Sequence, residues 1–155
     1  MKILADLLFI DMNIETYLLE VNNSTSLYDA KKIIQKMSCV YPEEQYWFCN
    51  NSPITQIEWS EKSKYSIIVK NIWYNFNIKI FNDSIQINHL KSKDLVSTLK
   101  YHIFMKKNLS PDAYTLNYIN SNKNIILQDN DYIGKYIIPN NSTINLFIKI
   151  KAGFK

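Results

Sequence analysis

One short block occurs twice in this chain, and that repeat limits the fold more than any other feature. Pro42-Glu43-Glu44-Gln45-Tyr46-Trp47-Phe48 resembles Pro111-Asp112-Ala113-Tyr114-Thr115-Leu116-Asn117 at an offset of 69 residues. The apolar stripe before each block obeys the same offset. Leu27, Ala30 and Ile34 correspond to Val96, Leu99 and Ile103. Positions i, i+3 and i+7 share one face of a helix, so each half should hold one helix with a buried stripe. A stripe and a following proline block, repeated together, mark two copies of one structural unit.

Each copy carries the same flanking signals. Ser24, Thr25 and Ser26 can cap the first helix, and Ser92 and Asp94 the second, because their side-chain oxygens accept from unpaired N–H groups at a helix start. Two strand-like runs precede each helix. They are Leu7 to Met12 and Thr16 to Val21 in the first half, around Asn13-Ile14-Glu15. In the second half they are Phe76 to Phe81 and Ser84 to Asn88, around Asn82-Asp83, residues that tolerate tight hairpins. Aromatic-rich runs come after the proline blocks, at Tyr46 to Cys49 and Tyr114 to Tyr118. Each half closes on a strand, Tyr65 to Lys70 and Ser142 to Ile150. In the second of these, Ile144, Leu146, Ile148 and Ile150 alternate with Asn145, Phe147 and Lys149, which predicts one buried face.

The order strand, strand, helix, strand, closing strand predicts an α+β fold. It consists of two tandem domains, each a mixed sheet packed on one helix, over residues 1–71 and 76–155. The connection Asn71-Ile72-Trp73-Tyr74-Asn75 is not a flexible Gly/Ser linker. Its two aromatics are expected to pack between the domains. A length of 155 residues with 46% hydrophobic side chains suits two small cores.

Composition argues against several functions. All basic side chains are lysines, scattered among acids, in a chain of net charge +4. Nucleic-acid readers favour arginine for bidentate contacts, so no nucleic-acid partner is expected. No apolar run approaches the roughly 20 residues of a membrane helix, and the start lacks a secretory signal pattern. No membrane partner and a cytoplasmic location are therefore expected. Cys39 and Cys49 read as near-core hydrophobes without zinc spacing, so no metal is expected. Two glycines cannot build a phosphate-binding loop. His89 and His102 lack a nucleophile in any recognised order, and the acids of the proline blocks read as turn residues. The chain is not expected to be an enzyme. Tyr46, Trp47 and Phe48 alternate on a strand, and an outward pair would serve either a partner or domain packing.

The second half resembles ubiquitin from about Phe76 to Gly153. Val96, Leu99 and Ile103 match its buried helix face, and Leu109-Ser110-Pro111-Asp112 its post-helix Ile-Pro-Pro-Asp segment. Leu116 and Tyr118 fall on its next strand, and Asp131 to Ile138 resembles its tyrosine-bearing loop. Ser142-Thr143-Ile144-Asn145-Leu146 is similar to Ser-Thr-Leu-His-Leu, and Ile148-Lys149-Ile150-Lys151-Ala152-Gly153 to the tail Leu-Arg-Leu-Arg-Gly-Gly. The first half, with a shorter loop and no diglycine-like ending, resembles the degenerate N-terminal domain of tandem ubiquitin-like modifiers. Both the interferon-induced and the bacterial antiphage kinds share this length and layout.

The resemblance implies that both domains are β-grasp domains and that the chain is a protein modifier conjugated through Gly153. An activating enzyme would use ATP to adenylate the Gly153 carboxylate, so the chain itself needs no cofactor. A cysteine thioester, a conjugating enzyme and an amine of a target protein would come next. Lys149, Ile150, Lys151 and Ala152 would be the recognised tail, and glycine, lacking Cβ, suits a narrow channel. Lys149 and Lys151 offer charge to an acidic groove. Phe154 and Lys155 come after Gly153, which implies a processing peptidase that cuts between Gly153 and Phe154 and also serves as the deconjugating enzyme. Three departures stand out. Asn117 replaces the isoleucine of ubiquitin's interaction patch, Phe147 its valine, and Ala152-Gly153 the glycine pair. Ordinary ubiquitin receptors are therefore not expected to bind. The alternative function is a non-conjugated adaptor that uses the same domain surface.

Overall fold

The computed structural model describes residues 1–150. The chain divides into two compact units, Met1–Ile72 and Trp73–Lys155. Both are α+β, each a five-stranded mixed sheet with one helix, so the chain carries two tandem β-grasp-like domains.

In the first unit the strands are β1 (Lys2–Leu8), β2 (Ile14–Glu20), β3 (Gln45–Cys49), β4 (Ser52–Pro53) and β5 (Tyr65–Val69), with helix α1 (Leu27–Ser38). The second has β6 (Tyr74–Ile80), β7 (Asp83–Leu90), β8 (Tyr114–Asn120), β9 (Lys123–Ile126) and β10 (Thr143–Ile148), with α2 (Val96–Lys107). The sheet orders β2-β1-β5-β3-β4 and β7-β6-β10-β8-β9 are the same topology. In each, the first and closing strands pair in parallel at the centre, Ala5 opposite Tyr65 and Ile144 opposite Ile78. The other neighbours are antiparallel.

The 69-residue offset extends through the middle of both units. It relates the helix ends, the 3-10 turns Pro42–Glu44 and Pro111–Ala113, and the starts of β3 and β8. It also relates the helix exits, where Cys39 and Asn108 both take left-handed conformations with φ of 62° and 52°. The helix stripes face inward: Ala30, Ile34, Val96, Leu99 and Ile103 are fully buried, and Leu27 is half-buried against the first core. The first core joins the stripe to Ile3, Ala5, Leu7, Leu19, Trp47, Trp59, Tyr65 and Ile67. In the second unit Phe76, Ile78, Ile87, Tyr114, Leu116, Ile144 and Leu146 are buried. Each such large side chain contributes roughly 1.5–3 kcal/mol by leaving water.

Three local expectations are corrected. The first strand runs Lys2–Leu8, not Leu7 to Met12, because Ile3, Ala5 and Leu7 alternate into the core while Leu4 faces out. Phe9 to Asn13 instead form the turn: Met12, at φ 66°, donates to Phe9 O, and Phe9 N–H donates to Asn13 O, both at 3.0 Å. The second hairpin turns at Phe81-Asn82, between the paired Ile80 and Asp83, and its first strand starts at Tyr74. Trp73, just before that strand, sets its ring edge-on to His89 at 5.7 Å and lies under Lys91 Nζ at 5.1 Å.

The helix starts also differ from expectation in the second unit. Ser26 caps α1, its side chain accepting from Asp29 N–H at 3.1 Å. At α2, by contrast, neither Ser92 nor Asp94 is the cap. The N-cap is Leu95, and the first N–H groups are paired by the longer loop 127–142: Val96 donates to Asp131 O at 2.9 Å and Ser97 to Asp129 O at 3.1 Å. The Asp94 carboxylate accepts instead from Lys91 N–H at 2.7 Å. Backbone acceptors from a distant loop satisfy the same orphan donors a cap residue would.

Candidate functional site

The end of β10 is where the expected tail leaves the second domain. Ile144 and Leu146 are buried, but the alternation does not continue inward. The strand stops at Ile148, which is 38% exposed, and Ile150 is 93% exposed. The expectation that Ile148 and Ile150 share the buried face is therefore corrected: Ile148 is the last residue of the strand, Ile150 lies beyond it, and both are exposed. One residue past the strand, Lys149 N–H donates to Ala113 O at 2.8 Å. Lys149 itself is exposed. Of the expected tail, Lys149 and Ile150 are thus seen. Lys151, Ala152, Gly153 and Phe154 lie outside the described residues.

Beside this exit lies an open apolar groove of about 590 Å³, lined by Phe81, Ile119, Phe147, Ile148 and Ile150, with Lys79 and Asn145 on its polar side. Its elements are held by the hairpin and the helix. Lys107 Nζ on α2 reaches Asp83 Oδ2 at 2.7 Å, and Lys106 Nζ donates to Gln86 O at 2.6 Å. The hydrogen bond from Lys107 holds the Asp83 carboxyl below its usual range, helped by the Ser84 N–H. Pinned this way, the hairpin places Phe81 at φ 51° with 72% of its surface exposed. A bulky residue in the left-handed region costs roughly 1–3 kcal/mol, a strain the surrounding structure must hold.

Asn117, expected in place of a patch isoleucine, is buried and polar. Its side-chain oxygen accepts from Thr115 Oγ1 and its amide donates to Asn124 Oδ1, both at 3.1 Å. This makes a hydrogen-bonded ladder where an apolar surface residue would stand. The apolar character of this face lies instead at Phe81, Ile119 and Phe147, which are 72%, 55% and 51% exposed. In the sequence Phe81 reads as a strand end and Ile119 stands just past an aromatic-rich run. Ala113 carries no side-chain signal, because it acts through its carbonyl.

The loop 127–142 is fixed by a second cluster, away from the groove. Lys100 on α2 is buried and pairs with Asp129 at 2.7 Å, its Nζ lying 5.3 Å over the Tyr114 ring. Burial, with Asp129 adding repulsion, pushes the Tyr114 hydroxyl up to about 12. Tyr136 donates to Asp131 Oδ2 at 2.6 Å and accepts from Gln128 N–H at 2.8 Å. Burial and that carboxylate raise Tyr136 to about 12, while the hydrogen bonds from Tyr136 and Lys135 lower Asp131. Each of these groups is engaged by neighbours in or against the loop.

The histidines are also accounted for by packing. His89 lies edge-on to Trp73, and His102 lies edge-on to Tyr101 at 6.2 Å. Cys39 is the left-handed helix exit and Cys49 packs on the first core; both are half-buried thiols. Among the described residues, no group of three or more His, Cys, Asp or Glu could hold a metal ion, and no helix is long and apolar enough to cross a membrane. No protein-family model and no curated protein matches this chain.

Proposed function

We propose that this chain is a tandem ubiquitin-like modifier, processed after Gly153 and conjugated through that glycine to amines of target proteins by isopeptide bonds. The observation that carries the reading is the exit of β10. A period-two apolar strand in a β-grasp-like domain runs out of the sheet at Ile148, and the next apolar residue, Ile150, is 93% exposed. Three residues further in the sequence stands Gly153, one of only two glycines in the chain. An exposed apolar residue beside lysines, just outside a folded edge, suits recognition by an enzyme groove rather than by the domain's own core.

In this reading a peptidase removes Phe154 and Lys155. An activating enzyme then adenylates Gly153 with ATP, and a conjugating enzyme passes it to targets. The first domain, whose closing strand continues into β6, has no free tail and acts in recognition or as steric bulk. The two-domain layout supports a place in cytoplasmic antiviral defence, where attachment to a virion component would impair infectivity.

Intact mass of the protein from its own host tests the processing step. A mature form ending at Gly153 is expected, and a stable form that retains Phe154 and Lys155 with no adducts would exclude it. A second reading, a non-conjugated adaptor, is favoured by one observation, the groove of Phe81, Ile119 and Phe147. The adaptor reading requires that deleting residues 153–155 leaves function intact, whereas the modifier reading requires its loss.

A further inference from the structure

The two helices hold equivalent places in their domains, so each serves as a reference for the other. The 69-residue offset sets Tyr28, Lys32 and Lys36 of α1 against Ser97, Tyr101 and Met105 of α2. All six are exposed, on the side of the helix away from the buried stripe. On α1 this is a solvated face, with Lys32 Nζ 4.2 Å over the Tyr28 ring. On α2 it is apolar: Tyr101 and Met105 are 57% and 64% exposed, and Phe104 beside them 39%. The helix α1 is thus apolar on one face and α2 on both. A helix that is apolar all round is expected to be covered on all sides. The three lysines of α2 do not relieve this. Lys100 is buried on Asp129, Lys106 donates to Gln86 O, and Lys107 pairs with Asp83. Every lysine of the helix is engaged by its own domain. The outer face is left with aromatic rings, a thioether and a hydroxyl, the composition of the centre of a protein interface.

We infer that the outer face of α2 pairs two copies of this chain, helix against helix, about a two-fold axis. The inference stands apart from the modifier reading. The chain carries a net charge of +4, so two copies repel across most of their surfaces. The α2 face lets them meet with no like charges opposed. A two-fold contact also needs a surface that complements itself. Ser97, Tyr101 and Met105 are spaced four residues apart and form one ridge, small at one end and large at the other. With the axis at Tyr101 the two helices run antiparallel. Ser97 of each copy then meets Met105 of the other, a small side chain against a large and adaptable one. The contact is small. Three side chains of this size, each about half in water, offer roughly 300 Å² per copy, against about 800 Å² per partner in an interface of standard size. The pair is therefore weak, with a dissociation constant on the order of 100 µM. It fills where copies are held side by side, because tethering supplies effective concentrations of about millimolar.

Sedimentation velocity of the full chain, from about 5 µM to about 1 mM, tests the pairing. A passage from monomer to dimer across that range is expected. The variant carrying both Tyr101→Lys and Met105→Lys writes the α1 residues into α2 at exposed positions, so its circular dichroism should be unchanged. Its dimer should be at least about tenfold weaker, since four ammonium groups then face one another across the axis. A chain that stays monomeric at every concentration overturns the inference and leaves the face to a different protein. A dimer that survives the double substitution overturns it as well, because another face then holds the copies. The register is tested without removing Tyr101. Chains with Ser97→Cys and chains with Met105→Cys are mixed and mildly oxidised, and the disulfide dimers are weighed intact. Peptide mapping locates the link, because both variants also hold Cys39 and Cys49. Dimers joined between positions 97 and 105 should outnumber same-variant dimers about tenfold, because the paired thiols start within bonding reach. A random distribution overturns the two-fold arrangement.

Discussion

The amide of Lys149 is tied to the carbonyl of Ala113 at 2.8 Å, just as the amide of Lys70 is tied to that of Glu44. The pair places the boundary between folded domain and tail at one peptide bond. On one side of it Leu146 is buried, and on the other Ile150 is 93% exposed. The first domain keeps the same clasp, but its chain passes into β6. Two copies of one unit therefore both tie down the residue after the closing strand.

The buried lysine of the second domain gives an ordered pair of stability predictions. The Lys100 side chain is 6% exposed and that of Asp129 48%. Asp129→Ala leaves a buried ammonium with a long contact to Pro111 O at 3.4 Å and the face of the Tyr114 ring, and should cost about 1–3 kcal/mol, less than a fully buried pair because Asp129 is half in water. Lys100→Met removes the charge and keeps the volume, and should cost less than that. Chemical denaturation of both variants checks the order; equal or inverted losses would mean the ion pair does not hold the loop.

Alkaline titration should single out two tyrosines. The folded pKa of Tyr114 and of Tyr136 lies at about 12, above the ordinary 10. A raised folded value means that the neutral form is favoured by folding. That contribution is whole below about pH 10 and is lost as pH rises towards 12. Absorbance at alkaline pH should show Tyr114 and Tyr136 ionising well above pH 10, together with unfolding. Ionisation of these two near pH 10, in folded protein, would contradict this.

Tyr136→Phe removes one hydrogen bond to Asp131 and one from Gln128 N–H. A loss of about 1–2 kcal/mol is expected. Asp131 should then titrate closer to the ordinary carboxylate range, since the Tyr136 hydrogen bond is the chief cause of its lowering. In the unaltered protein the Asp131 contribution is present above its unfolded value of about 3.8 and disappears as pH falls through the lower folded value. Carboxyl chemical shifts recorded over an acid titration check both statements.

Helix starts should respond differently to the same kind of change. Ser26→Ala removes the side-chain cap of α1 and should cost about 1 kcal/mol. No such single residue exists at α2, whose first amides are paired by Asp129 and Asp131 carbonyls. Thermal unfolding of Ser26→Ala should show the loss, and unchanged stability would mean that the cap is replaced by water at no cost.

The helices and the order of strands were legible because their signals are local. Val96, Leu99 and Ile103 are spaced for one helix face, and that face is buried. The first strand was not legible. Leu4 and Leu8 stand on its outer side and blur the alternation, and its turn is built from Ile10 and Met12, which are 70% and 90% exposed, without glycine. The α2 cap was hidden for another reason: its acceptors are backbone groups far along the chain, at Asp129 and Asp131, on a loop longer than its counterpart in the first domain. The groove obeys the same rule. Phe81 reads as one more apolar residue of a strand, and only the hairpin geometry turns it outward.

The central claim is tested most directly on target proteins. Trypsin cleaves after Lys151, so conjugation through Gly153 would leave Ala152-Gly153 as a remnant on target lysines. The chain, tagged at its N-terminus and purified under denaturing conditions from its own host with the cognate enzymes active, should yield peptides with an Ala-Gly branch on lysine side chains. These should vanish when Gly153 is replaced by a bulky residue. A tagged chain recovered only at its own mass, without such branches and with an unaltered phenotype on Gly153→Trp, would contradict the account.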